Sequence, residues 1–141
     1  MNQSGPIIII DDDNDDQEII QDMAGDLALS NPLIFFNDTR QAFSYLKATE
    51  DRPLIIFSDL NLPQESGFDL KRRIDDDPQL RAKSIPFIFF STYIDKRIVD
   101  LAYRDLTIQG FFQKVANYNE LKATFKMIID YWTICKHPNS F

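Results

Sequence analysis

Four consecutive isoleucines, Ile7-Ile8-Ile9-Ile10, run straight into Asp11-Asp12-Asp13, and Leu54-Ile55-Ile56-Phe57-Ser58 runs into Asp59. An unbroken β-branched run with no polar alternation reads as a strand buried on both faces, as strands of parallel sheets are. Ligands of open α/β sheets collect outside the carboxyl ends of such strands. If the two strands are central neighbours, three acids converge there. Carboxylates packed that closely repel one another and cannot all stay ionised unless a hard cation sits among them. The pattern points to Mg2+, with one carboxylate left as the reactive group.

The rest of the chain supplies the other layers. Asn14 with Gln17 three residues on reads as a helix start, and Ile19, Ile20, Met23 and Leu27 keep helical spacing. Pro32 to Phe36 is a second apolar run, and Thr39, Ala42, Tyr45 and Leu46 mark a second helix. After the strand Leu54 to Phe57, Pro63 and Gly67 punctuate a loop ahead of a third helix bearing Phe68, Leu70 and Ile74. Pro86 to Phe90 is a fourth strand ending at Ser91-Thr92, Ile94, Ile98, Leu101 and Ala102 mark a fourth helix, and Gly110 to Lys114 is a fifth strand. Asn117 and Glu120 cap a last helix with Tyr118, Leu121, Phe125, Ile128 and Ile129 on one face. Five strands alternating with five helices predict an α/β fold: a five-stranded parallel sheet with helices on both faces, doubly wound as (βα)5 in the flavodoxin-like manner. One domain is expected over 1–141, with its core at about 6–131 and a tail at about 132–141.

Composition narrows the function. With 15 basic against 22 acidic residues the net charge is −7, and no Lys/Arg-rich run occurs, which disfavours nucleic acid or an anionic membrane as partner. No apolar stretch approaches a membrane span and the first residues lack the pattern of a signal peptide, so a cytoplasmic protein is expected. Cys135 is the single cysteine, which excludes an intrachain disulfide. His137 is the single histidine, which excludes a His-based triad or a His-rich zinc site, and its place near the C-terminus predicts a surface residue.

Four strand ends thus carry Asp11 and Asp12, Asp59, Ser91 and Lys114. With Asp59-Leu-Asn-Leu-Pro, Gly67 eight residues after Asp59, and Gly110-Phe-Phe before Lys114, the chain from Ile7 to about Tyr131 resembles a response-regulator receiver domain of two-component signalling. The resemblance implies a phosphoryl acceptor at Asp59 and Mg2+ held by Asp11, Asp12, Asp59 and the backbone carbonyl of Asn61. It also implies Lys114 and Ser91 as groups that meet the phosphoryl oxygens, and a switch in which Ser91 draws inward while Phe111 turns into the vacated space. The donor would be the phosphohistidine of a sensor histidine kinase. Output would run through protein contacts of the fourth helix, fifth strand and fifth helix, a homodimer among them, as in stand-alone receivers paired with bacterial phytochromes. The only catalysis expected is the chain's own phosphorylation and dephosphorylation.

Competing readings account for fewer residues. Asp11-x-Asp13-x-Asp15 superficially matches a calcium loop, but an apolar strand precedes it and Asp16 stands where that loop needs Gly. A small Mg2+-dependent phosphatase with Asp11 as nucleophile and Asp13 as acid is disfavoured, because Asn14-Asp15 stands where small residues usually continue that motif. A phosphorelay intermediate that hands its phosphate to a histidine phosphotransfer protein would use the same site. Asp13, Asp15 and Asp16 read as a solvated helix start. Three departures from the family pattern are expected to shape the site. Val115 follows Lys114 where Pro is usual, so that peptide bond should be trans. Thr92 should narrow the opening, and the Tyr93 ring should hang over the aspartyl phosphate and lengthen its life.

Overall fold

A computed structural model describes residues 5–138. In chain order the elements are β1 (Ile7–Ile10), α1 (Asn14–Asp26), β2 (Leu33–Phe36), α2 (Thr39–Ala48), β3 (Ile55–Ser58), α3 (Gly67–Asp76), α4 (Pro78–Lys83), β4 (Phe87–Ser91), α5 (Lys96–Asp105), β5 (Gly110–Gln113) and α6 (Tyr118–Ile134). The strands form one parallel sheet in the order β2-β1-β3-β4-β5. The order reverses at β1, between its neighbours β2 and β3, and such a switch point is where open α/β sheets leave a crevice.

Alternation along each strand divides the core. Ile7, Ile9, Ile55, Phe57, Ile88 and Phe90 pack with Met23 of α1 and Phe125 of α6 on one face. Ile8, Ile10, Ile56, Phe87 and Phe89 pack on the other with Leu46 of α2, Leu70 of α3, Leu80 of α4 and Ala102 of α5. Because both faces are covered, all four isoleucines of β1 are at most 1% exposed. Each such side chain contributes about 1.5–3 kcal/mol of transfer free energy, so the central strands are the last part of the structure to yield.

Local chemistry moves several boundaries from their expected places. Asp13, rather than Asn14, caps α1, its carboxylate accepting the N–H of Asp15 and of Asp16. The chain has six helices among the described residues, not five, because Asp77 ends α3 and caps α4, and Pro78 at the first position of α4 cannot continue the helix before it. The expected fourth and fifth helices are therefore α5 and α6. The last of these runs three residues past Tyr131, held by Trp132, which packs on the core cluster. His137 is half-buried rather than on the surface, its ring edge-on to Trp132 and its Nε2 against the carbonyl of Ser84. The Lys114–Val115 bond is trans, as expected, and Val115 packs on the core.

Candidate active site

Register builds the site. Ile10 pairs with Ser58 across β1 and β3, so the next residues, Asp11 and Asp59, leave the sheet side by side, with the Asp59 N–H donating to the Ile10 carbonyl at 2.9 Å. Asp11 is 2% exposed and its Oδ1 accepts the Asp13 N–H at 3.0 Å, while Oδ1 of Asp59 accepts the Leu60 N–H at 2.7 Å. Backbone donors thus aim one oxygen of each carboxylate and leave the other free. Lys114 fills the space between. Its stem crosses the end of β4, and Nζ meets Oδ2 of Asp11 at 2.5 Å, Oδ2 of Asp59 at 3.0 Å and Oδ2 of Asp16 at 3.0 Å.

Asp16 belongs to this cluster and Asp12 does not. Capping by Asp13 puts Asp16 on the first turn of α1, where it is half-buried and turned toward Lys114 instead of being a solvated helix start. Carboxylate oxygens of Asp11, Asp16 and Asp59 all lie within 4.8 Å of one another, whereas Asp12 and Asn61 are exposed on the loops that carry Asp11 and Asp59. Burial pushes the Asp11 carboxyl up to about 6, the nearby Asp59 charge adding to an effect that the Lys114 and Asp13 contacts only partly offset. Burial opposes the charge on Lys114 too, yet the hydrogen bond and field of Asp11, reinforced by Asp59 and Asp16, raise its pKa above the ordinary lysine value. A buried ammonium ringed by hard oxygen donors is chemically what a divalent cation site looks like, so this donor set fits Mg2+ or Mn2+.

Ser91 ends β4 beside this cluster, its carbonyl accepting the Lys114 N–H at 2.8 Å. Its hydroxyl is buried and has no hydrogen-bond partner, an unsatisfied donor of the kind that native structures tolerate where a ligand completes it. Phe111 of β5 is half-buried with its ring 5.6 Å from that of Phe89, while Phe112 points to the opposite core. Thr92 is exposed and, with Asp16 and Lys114, is among the residues lining a cavity of about 280 Å3 between α1 and α6. Tyr93 is 57% exposed and its hydroxyl donates to Oδ2 of Asp95, the cap of α5, at 2.6 Å.

The loop after Asp59 folds back so that the Gly67 N–H donates to the Leu60 carbonyl at 2.9 Å. A Cβ on Gly67 would lie 2.2 Å from the Asp59 carbonyl oxygen and 3.0 Å from the Phe89 ring, so only glycine fits. Gly67→Ala is expected to cost about 1–3 kcal/mol as an overpacking change, read as a lower denaturant midpoint. An unchanged midpoint would mean that the loop does not pack this closely.

A family model described as the response regulator receiver domain matches residues 7–126. The response regulator Rcp1 of Synechocystis is 28% identical over 127 residues, spanning 86% of this chain and 82% of that protein. The phosphorylated cyanobacterial phytochrome response regulator RcpA superposes with a TM-score of 0.84 at 28% identity, over 95% of this chain and 98% of that one. The Mn2+-bound form of Rcp1 superposes at 0.80 with 23% identity, over 94% and 97% of the two chains.

Proposed function

The chain belongs to the response-regulator receiver family, and on that premise we propose that it accepts a phosphoryl group on Asp59 from the phosphohistidine of a sensor kinase and signals by phosphorylation-dependent protein contacts. The observation that carries this is the three-way seat of Lys114 Nζ on Asp11, Asp16 and Asp59. A carboxylate oxygen of Asp59 attacks phosphorus, and the bond to the donor imidazole breaks with its electron pair staying on nitrogen. Lys114 offsets negative charge on the incoming group and the Ser91 hydroxyl gains the partner it lacks, donating to a phosphoryl oxygen. A divalent ion, Mg2+ in the reading we favour, would be held by Asp11, Asp59 and Asp16, with Asp12 and the Asn61 carbonyl at the exposed rim. It would lower the repulsion between an anionic nucleophile and an anionic phosphoryl group. Relatives crystallised phosphorylated and with Mn2+ lend support to both halves of the reading.

Asp11 itself is a poor candidate nucleophile, being buried with one oxygen on a backbone N–H and the other on Lys114. We assign output to the surface of α5, β5 and α6, where Tyr103, Met127 and Tyr131 are exposed; a homodimer is one form it would take. Phe111 is the assigned aromatic switch. The reading puts the chain in the cytoplasm with its kinase. Incubation with Mg2+ and acetyl phosphate is the test: intact mass should rise by one phosphoryl group, and a wild type that stays unmodified with acetyl phosphate and insensitive to beryllofluoride would overturn the proposal. Tyr93 bears on the lifetime of the product. It follows Ser91-Thr92 and its hydroxyl is tied to Asp95; if it shields the product, Tyr93→Lys speeds phosphate loss, and an unchanged rate removes any shielding role.

A further inference from the structure

Glu65, a residue of the loop between Asp59 and α3, holds three parts of the structure together with one carboxylate oxygen. Its Oε1 accepts the Thr39 hydroxyl at 2.5 Å and Nη1 of Arg73 at 2.7 Å. Thr39, 1% exposed, opens α2, and Arg73 lies in the last turn of α3 with its guanidinium 4.2 Å from the Phe43 ring centroid. The segment that this clamp holds is not one the chain adopts freely. The Glu65 N–H donates to the Pro63 carbonyl at 2.7 Å around Gln64, whose φ is +69°. A three-residue turn closed around a positive φ is rare and strained for a residue with a Cβ. Such geometry persists where the surroundings over-determine it, and the surroundings here are the Glu65 contacts and the α3 capping box of Ser66 and Asp69.

What the turn sets is the shape of the acceptor loop. Upstream of Gln64 lie the Leu60 N–H that aims the Asp59 carboxylate and the Asn61 carbonyl; downstream, Gly67 closes the loop on Leu60. A loop fixed before its ligand arrives loses no conformational freedom on binding. We propose that Glu65 is a positioning residue that, through Thr39 and Arg73, presets the acceptor loop for the divalent ion and the phosphoryl group. The proposal rests on the acceptor reading of Asp59, and it adds a residue that touches neither ion nor phosphate.

The test compares wild type with Glu65→Ala, Glu65→Gln and Thr39→Val. In the metal-free protein, exchange of the Gly67 amide should quicken in Glu65→Ala while amides of β1 and β3 stay as slow as in wild type. Mn2+ affinity of the same variant should fall roughly tenfold, as loss of a supporting contact typically does. Glu65→Gln keeps an acceptor oxygen for Thr39 and should recover most of that loss. Thr39→Val should weaken Mn2+ binding in the same direction and, combined with Glu65→Ala, add little to it. Wild-type exchange and Mn2+ affinity in Glu65→Ala overturn the clamp while leaving the acceptor reading intact. Were Glu65→Ala to unfold, Thr39→Val with wild-type affinity would overturn it equally. A wild type that binds no Mn2+ and takes no phosphoryl group overturns the acceptor reading itself.

Discussion

Asp59→Asn is expected to abolish phosphoryl uptake from acetyl phosphate and from a phosphorylated kinase alike, with no modified species visible by intact mass. The change removes the nucleophile and little else. Asn keeps a side-chain oxygen able to accept the Leu60 N–H, so the loop retains the bond that aims residue 59. Lys114 keeps Asp11 and Asp16. One negative charge fewer in a crowd of three relieves repulsion, so the variant should melt no lower than wild type in metal-free buffer. Loss of uptake with unchanged melting separates chemistry from folding. A variant still modified on the same peptide would show that another group accepts the phosphoryl and would overturn the assignment of Asp59.

The parts legible from sequence were those whose cause is local. Ile7 to Ile10 and Leu54 to Ser58 could only be strands buried on both faces, and their terminal acids, with Ser91 and Lys114, could only meet at one sheet edge once the strands were parallel. Asp16 was not legible, for a physical reason. Five of the six residues 11–16 are aspartates of identical chemistry, and which of them turns inward depends on helix phase and on Lys114, 98 residues away. Shifting the cap from Asn14 to Asp13 rotates the first turn and brings Asp16 to the lysine. The α3–α4 break had a readable signal in Asp77-Pro78, a cap followed by a residue suited to the first helical position. The Glu65 clamp had none, since its partners Thr39 and Arg73 lie on two different helices and only packing brings them to one oxygen.

The largest effect on stability is expected from Lys114→Met. Lys114 is the cation that contacts Asp11, Asp16 and Asp59 together, and removing one partner of a buried ionic group costs about 3–5 kcal/mol because the remaining charge stays uncompensated. The cost has a definite pH signature. The folded Asp11 carboxyl titrates near 6, above its unfolded value, so its favourable contribution is fully present below the unfolded pKa and is lost as pH rises through about 6. That difference of about two units corresponds to on the order of 3 kcal/mol in the metal-free wild type. Without Lys114 the carboxyl is still harder to ionise, so the loss extends to higher pH and the variant falls furthest behind wild type above neutrality. Chemical denaturation of both proteins from pH 5 to pH 8 should show the gap widening with pH, and saturating Mg2+ or Mn2+ should narrow it by restoring a cation among the three oxygens. A gap that stays constant across this range and ignores the metal would mean that Lys114 supports the fold by packing its stem, and that the acidic cluster needs no cation to hold it.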